Sequence, residues 1–156
     1  MTISRLTLAF GAFSAALMAG ALAFQYLGGL APCEMCEWQR WPHIAAAIVG
    51  LGGGALLTSG AIDAKYARVI LGLTIALIAV SGALAVYHAG VEWKWWAGPE
   101  ACTGARVEFT GLDNINERGN VRCDIVQWRL FGLSLAAYNA LLSFAAAAFG
   151  TYKLTR

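Results

Sequence analysis

Cys33 and Cys36 stand three positions apart in the stretch PCEMCEWQRWPH, and Arg40 follows four positions after the second. A disulfide between such a pair closes a very short loop. It removes little chain entropy and is therefore a poor structural staple. Strained or exposed disulfides are the labile ones that open and close. On a helix, Cys36 and Arg40 would share a face at i, i+4, and a guanidinium beside a thiol favours the reactive thiolate. Glu34 and Glu37 push the other way, because like charge disfavours a thiolate. Two further cysteines, Cys102 and Cys123, are widely separated in the chain. Three chemistries fit four cysteines. They can form static disulfides that staple loops, a Cys₄ metal site, or a redox centre. Zinc sites usually show two close pairs, and only one close pair is present here, so the expectation is no metal. The short loop and Arg40 favour redox chemistry, although an arginine at a membrane edge is by itself most often a snorkelling anchor. The pairing of the four cysteines stays open at this level.

The elements that must position these groups are apolar. The chain has 156 residues, of which 59% are apolar types and 13% charged. A soluble domain carries about 25% charged residues. Four stretches have no formal charge: Leu6 to Tyr26, Ile44 to Ala61, Val69 to Tyr87 and Leu130 to Thr151. Each approaches the roughly 20 residues that a helix needs to cross the hydrocarbon layer. Backbone groups in lipid must pair within their own segment, so these read as helices. The expected fold is an all-α membrane protein, a four-transmembrane-helix bundle forming one domain over residues 1–156. Its spans fall at about 6–26, 44–61, 69–87 and 130–151, with outer loops at about 27–43 and 88–129. The first run has features of a signal peptide, with Arg5 before it and a small-residue stretch at Ala21 to Ala23. Its length and the three spans that follow favour a retained helix. Pro42 suits the first residue of the second span, which leaves Cys33 to Trp41 as a loop or separate turn.

Arg5, Lys65, Arg68, Lys153 and Arg156 fall on one side of this topology with one acid, Asp63. The positive-inside rule makes that side cytoplasmic, with both termini in and both cysteine-bearing loops out. All the tryptophans lie on the outer side, as Trp38, Trp41, Trp93, Trp95, Trp96 and Trp128. An interfacial aromatic belt accounts for most of them, and walling a flat aromatic ligand is a second use. Gly50 with Gly54, and Ala16 with Gly20, are small-residue pairs expected at helix contacts. The polar segment Thr103 to Arg122 reads as a loop that lets a cysteine change partners, with one short helix near Leu112 to Glu117. There is no basic patch for nucleic acid, no internal repeat and no low-complexity linker.

PCEMCEWQRWPH resembles the first outer loop of the DsbB family of bacterial disulfide-bond formation proteins, and YHAGVEWKWWAGPEAC, Tyr87 to Cys102, resembles the start of its second. The likeness covers nearly the whole chain. It implies a quinone-dependent thiol:disulfide oxidoreductase of the bacterial inner membrane. Such a protein reoxidises a periplasmic thioredoxin-fold dithiol oxidase, DsbA-like, and passes the electrons to ubiquinone or menaquinone. Carried over by position, Cys102 and Cys123 would take electrons from that partner, with Cys102 attacked to form the mixed disulfide. Cys123 would then exchange with Cys33 and leave Cys36 as the thiolate facing quinone. Arg40 matches the family arginine that supports quinone and thiolate. His88 lies where the family can place a quinone-proximal polar residue, and a hydrogen-bonded interfacial histidine is the alternative. The sequence departs from the family pattern at Glu34, Met35 and Glu37, where apolar residues are common. That points to an altered potential or a specialised partner. A tetraspan structural protein with two static disulfides is the competing function. A quinone-using enzyme with an embedded C-x-x-C running in the opposite direction is another.

Overall fold

The computed structural model describes residues 2–103 and 121–156. The short helix expected near Leu112 to Glu117 lies outside the described residues. Helix α1 spans Ile3–Tyr26, α2 Glu34–Ala47, α3 Gly53–Thr58, α4 Ala67–Glu92, α5 Glu100–Thr103 and α6 Leu135–Thr155. A π-helical turn, Ile48–Gly52, joins α2 to α3 without a break, and a 3₁₀ turn, Ala64–Tyr66, leads into α4. Four helical units are long and apolar enough to cross a membrane: Ile3–Tyr26, Glu34–Thr58, Ala64–Glu92 and Leu135–Thr155. The protein is a multi-pass four-helix bundle, running up, down, up, down. Both termini sit at one end and the cysteines at the other.

Three boundaries differ from the sequence reading, each for a packing reason. The second helix begins at Glu34, so Cys33 to Trp41 is not a separate loop and Pro42 lies inside α2. A proline removes one helical hydrogen bond and crowds the preceding turn. The bond lost is the one to the Trp38 carbonyl; at the neighbouring position the Ser81 hydroxyl of α4 donates to the Gln39 carbonyl at 2.9 Å and holds the turn from outside. The third helix runs on to Glu92, which brings His88 and Glu92 onto one helical face. The fourth starts at Leu135, because Arg129–Leu130 and Leu133–Ser134 form a small antiparallel hairpin. Its two-residue turn, Phe131 and Gly132, has φ of 49° and 82°, the paired positive φ of a tight hairpin turn. Ser134 then caps α6 by accepting from the Ala137 N–H at 3.2 Å.

Packing divides along the bundle axis. The terminal half holds an apolar core of Leu6, Phe10, Ala46, Leu71, Ile75, Ile78 and Ala147. At the other end Cys33, Met35, Val91, Cys102 and Cys123 form a second buried cluster. Between them lies a polar layer of Ser14, Gln39, His43, Ser81, His88 and Ser143, all buried. Large apolar side chains such as Ile48, Val69, Leu73, Leu141 and Phe149 point outward. That is an expensive surface in water and a cheap one in lipid.

Gly50 is the closest approach of α1 to the second helical unit. A Cβ there would fall 2.6 Å from Gly11 Cα, so only glycine lets the backbones meet. Gly54 faces Leu8 in the same interface. The second small-residue pair behaves otherwise. Nothing lies within 4 Å of a Cβ built on Gly20, and Ala16 and Gly20 line a cavity rather than a helix contact.

Candidate active site: two cysteine pairs over a buried polar chain

Cys33 is the N-cap of α2. Its extended backbone, with φ −84° and ψ 169°, turns the sulfur back over the first helical turn. There Sγ accepts from the Cys36 N–H at 3.2 Å. Cys36 is half-buried, and its Sγ lies 2.6 Å from that of Cys33. The hydrogen bond with Cys36 and then burial push the Cys33 thiol up from its ordinary range, so the proton is held on Cys33.

Cys102 sits in α5 and is joined to Cys123 by a disulfide. A backbone bond from the Cys123 N–H to the Cys102 carbonyl, at 3.1 Å, runs beside it. This pair packs directly on the first in one buried cluster. The turn carrying Cys123 is pinned at the surface. Asp124 accepts from Arg122 at 2.9 Å and from Lys94 at 2.6 Å. Those two bonds hold its carboxyl well below the usual carboxylate range. Gln127 donates to the Ala31 carbonyl at 2.9 Å, which ties the same segment to the first loop.

His88 stands between the two pairs. Its Nε2 is 3.6 Å from Cys33 Sγ and 3.2 Å from the Cys123 carbonyl. Its Nδ1 is 2.8 Å from Gln39 Nε2, which also donates to the Met35 carbonyl at 3.0 Å. The chain of bonds continues inward. Asn139 Nδ2 donates to Gln39 Oε1 at 3.0 Å, and Asn139 Oδ1 meets His43 Nε2 at 2.9 Å. On the other side of His88, Glu92 Oε1 lies 3.8 Å from Nε2, and Glu92 Oε2 accepts from the Ser134 hydroxyl. Cys33, Cys36 and His88 bring three soft donor atoms within 4.8 Å of one another. The Gln39 contact leaves the ring proton on Nε2, so that nitrogen has no lone pair to offer a metal in this arrangement.

A cavity of about 380 Å³ opens beside the first pair, between α1 and α6. Cys36, Arg40, His88 and Glu92 contribute its polar groups, and Leu17, Phe24, Ile125 and Leu142 part of its apolar wall. Arg40 is in α2, one turn after Cys36, as the spacing suggested. Its guanidinium donates to Gln25 Oε1 at 2.7 Å and to Glu37 Oε1 at 2.9 Å. Glu37 is therefore spent on Arg40. Of the six tryptophans only Trp128 lines the cavity, with its ring 5.0 Å from that of Phe24. Trp41, Trp93, Trp95 and Trp96 are exposed.

The cysteines, Arg40 and His88 singled out in the sequence thus converge on one end of the bundle. Gln39, Asn139, Glu92 and His43 join them without having been singled out. A usable signal existed for two of these: Asn139 and His43 are polar groups within or at the edge of a charge-free span, and such groups usually face a bundle interior or a function.

A thiol pair, a disulfide packed on it, an intervening histidine and a cavity among apolar helices define a membrane-embedded thiol–disulfide oxidoreductase. The comparison with known proteins gives the family. The family described as "Disulfide bond formation protein DsbB" matches residues 4–152, and the chain belongs to it. A disulfide bond formation protein B of Azoarcus sp. (strain BH72) is 30% identical over 148 residues, covering 92% of this chain and 86% of that protein. Proteins of the same name from Verminephrobacter eiseniae and Methylococcus capsulatus are each 34% identical, covering 81% of this chain and 71% and 78% of their own lengths. No solved structure matches the chain.

Proposed function

We propose that the protein is a quinone-dependent thiol:disulfide oxidoreductase that reoxidises a thioredoxin-fold dithiol oxidase, DsbA-like, and delivers the electrons to ubiquinone or menaquinone. The carrying observation is the position of Cys36. It touches Cys33 on one side and lines the membrane-facing cavity on the other. A structural tetraspan has no use for a free, close thiol pair at the mouth of such a cavity.

The cavity suits a flat, largely apolar head group. Its volume lies within the range of about 300–1,000 Å³ typical of small-molecule sites, and its polar groups are few and convergent. A quinone bound there would supply the acceptor for two electrons and two protons. Arg40 would hold a carbonyl oxygen and favour the Cys36 thiolate, and Trp128 with Phe24 would wall the ring. The need for such an acceptor is thermodynamic. A partner oxidase near −120 mV lies roughly 100 mV above glutathione, so reoxidation from that pool is uphill by about 5 kcal/mol.

Cys102 and Cys123 receive the partner's electrons. Cys102 is buried in the described state, so its attack by a partner thiolate requires α5, only four residues long, to yield. Cys123 then attacks Cys33 of an oxidised Cys33–Cys36 pair: the Cys123–Cys33 bond forms, the Cys33–Cys36 bond breaks and the electron pair leaves on Cys36; the described structure holds that pair reduced, the form that quinone would reoxidise. In this reading the cysteine end faces the periplasm, both termini face the cytoplasm, and the membrane is the bacterial inner membrane. The excess of basic residues at the terminal end supports that orientation.

The test is quinone reduction by purified protein in detergent, followed by absorbance with a reduced thioredoxin-fold oxidase and analogues of both quinones. Turnover in wild type and none in Cys36→Ser supports the reading. Four cysteines locked in stable disulfides, with no turnover on either quinone, would sink it.

A further inference from the structure

The family arginine and cysteines leave the inner polar chain without a task. We propose that Gln39 is a positioning residue that fixes His88 with its proton on Nε2, aimed at Cys33, so that His88 assists the departure of Cys33 when electrons pass between the two cysteine pairs. This deepens the oxidase reading above and rests on it.

Gln39 is held on three sides. Its Nε2 donates to the Met35 carbonyl at 3.0 Å, its Oε1 accepts from Asn139 at 3.0 Å, and its own backbone carbonyl accepts from Ser81 at 2.9 Å. The bond to the Met35 carbonyl requires the amide nitrogen at that corner, and the bond from Asn139 requires the oxygen at the other. The group facing His88 Nδ1 at 2.8 Å is therefore a donor, and Nδ1 must accept. A neutral imidazole that accepts at one nitrogen donates at the other. The Nε2–H then points at the Cys123 carbonyl, 3.2 Å away, and at Cys33 Sγ, 3.6 Å away. Gln39 and His88 are both buried, so bulk solvent reaches their side chains little.

The chemistry at that point needs such a donor. To close the cycle, the Cys102 thiolate attacks Cys123 within a Cys33–Cys123 disulfide. The Cys102–Cys123 bond forms, the Cys123–Cys33 bond breaks, and the electron pair leaves on Cys33. The step is an exchange within the chain and needs no outside oxidant. The described structure has the bonding of its product, with Cys102 joined to Cys123 and Cys33 free. Cys33 is a poor leaving group where it lies, buried and with its thiolate disfavoured. A hydrogen bond to the departing sulfur offsets this. The Cys36 N–H supplies one at 3.2 Å, and His88 Nε2–H is placed to supply a second. His88 therefore serves the junction between the cysteine pairs as well as lining the cavity.

The experiment reads tautomer and exchange separately. Protein labelled with ¹⁵N-histidine, in detergent and without partner or quinone, gives ring-nitrogen shifts for its two histidines; a His43→Asn variant assigns them. Wild type is expected to show the proton on Nε2 of His88. Gln39→Glu fills the same volume and, at a pH where it is ionised, offers only an acceptor, so it should put a proton on Nδ1. Gln39→Leu should leave both tautomers populated. Exchange is timed by mixing with a reduced thioredoxin-fold oxidase or with dithiothreitol, quenching with an alkylating reagent, and following the Cys33–Cys123 species by mass. Its decay should slow at least about tenfold in Gln39→Glu and Gln39→Leu, because mispositioning forfeits part of the roughly hundredfold or more that a positioned acid or base contributes. A tautomer unchanged by either substitution overturns the positioning role. A changed tautomer with unchanged decay overturns the assistance by His88. Decay that is normal but quinone reduction that fails would instead count against the quinone reading alone. No Cys33–Cys123 species in wild type would sink both.

Discussion

Arg40 is shared between two demands. It lines the cavity beside Cys36, and it is paired with Glu37 and Gln25. The pairing explains how acids can flank a C-x-x-C without suppressing its thiolate: Glu37 faces the arginine, and Glu34 is exposed. Arg40→Ala should raise the quinone KM by about tenfold, equivalent to about 1.4 kcal/mol of lost binding, with a smaller change in kcat. Glu37→Gln should change it by less than about fivefold, since a half-exposed ion pair is worth at most about 1 kcal/mol. Steady-state kinetics against quinone concentration separates the two. If both variants behave alike, Arg40 acts through its ion pair and not on the quinone. The C-x-x-C-x-x-x-R spacing made the cysteines and Arg40 legible in sequence, because one helical turn places their side chains together wherever the helix goes. Gln39 was not legible. It lies in the same quoted stretch, but its partners His88, Ser81 and Asn139 come from other helices, and only the fold brings them to it.

At the scale of elements, the α1 contact and the Cys123 turn carry the sharpest expectations. Gly50→Ala should destabilise the bundle by about 1–3 kcal/mol, because the added Cβ forces two backbones apart. Gly20→Ala, which meets nothing within 4 Å, should stay within about 0.5 kcal/mol of wild type. Thermal unfolding in detergent compares them. The Cys123 turn should respond to pH through Asp124. Its folded-state pKa lies below the unfolded value, so its contribution is fully present above about pH 4 and is lost as pH falls below that. Protection of the Cys102–Cys123 disulfide against a phosphine reductant should accordingly weaken between about pH 4 and pH 2 in wild type. Asp124→Asn should show the weakened protection at neutral pH and no further loss in acid. A wild-type profile flat through that window would mean that Lys94 and Arg122 do not hold the turn. Asp124 sits on the surface, so the effect is local and salt-sensitive.

For the whole molecule, the bundle runs up and down so that both termini share one end and both cysteine pairs the other. Single cysteines placed at Lys153 and at Glu100, in a background where the native thiols are blocked, should label from opposite faces of sealed inverted vesicles with a membrane-impermeant maleimide. Labelling from the same face would contradict the topology.

What the sequence determined by itself was the number of spanning helices, their membrane character and the candidate redox residues that meet at one end of the bundle. Charge-free runs of helical length have no other stable arrangement in lipid, and the cysteine–arginine spacing is a local property of the chain. Helix ends were less legible, because the charged and histidine side chains at Arg40, His43, His88 and Arg129 suggested boundaries that the backbone does not respect. Glu34 opens α2, Glu92 is buried against Ser134, and Arg129 enters a hairpin. The tertiary structure alone decided that His88 lies between the two cysteine pairs, that Cys102 bonds Cys123, and that a polar chain from His43 to His88 runs behind the cavity. Each of these depends on which faces of α2, α4 and α6 meet. A hydrogen bond between residues far apart in sequence leaves no periodicity or spacing in the chain; it exists only once packing has excluded water from both partners.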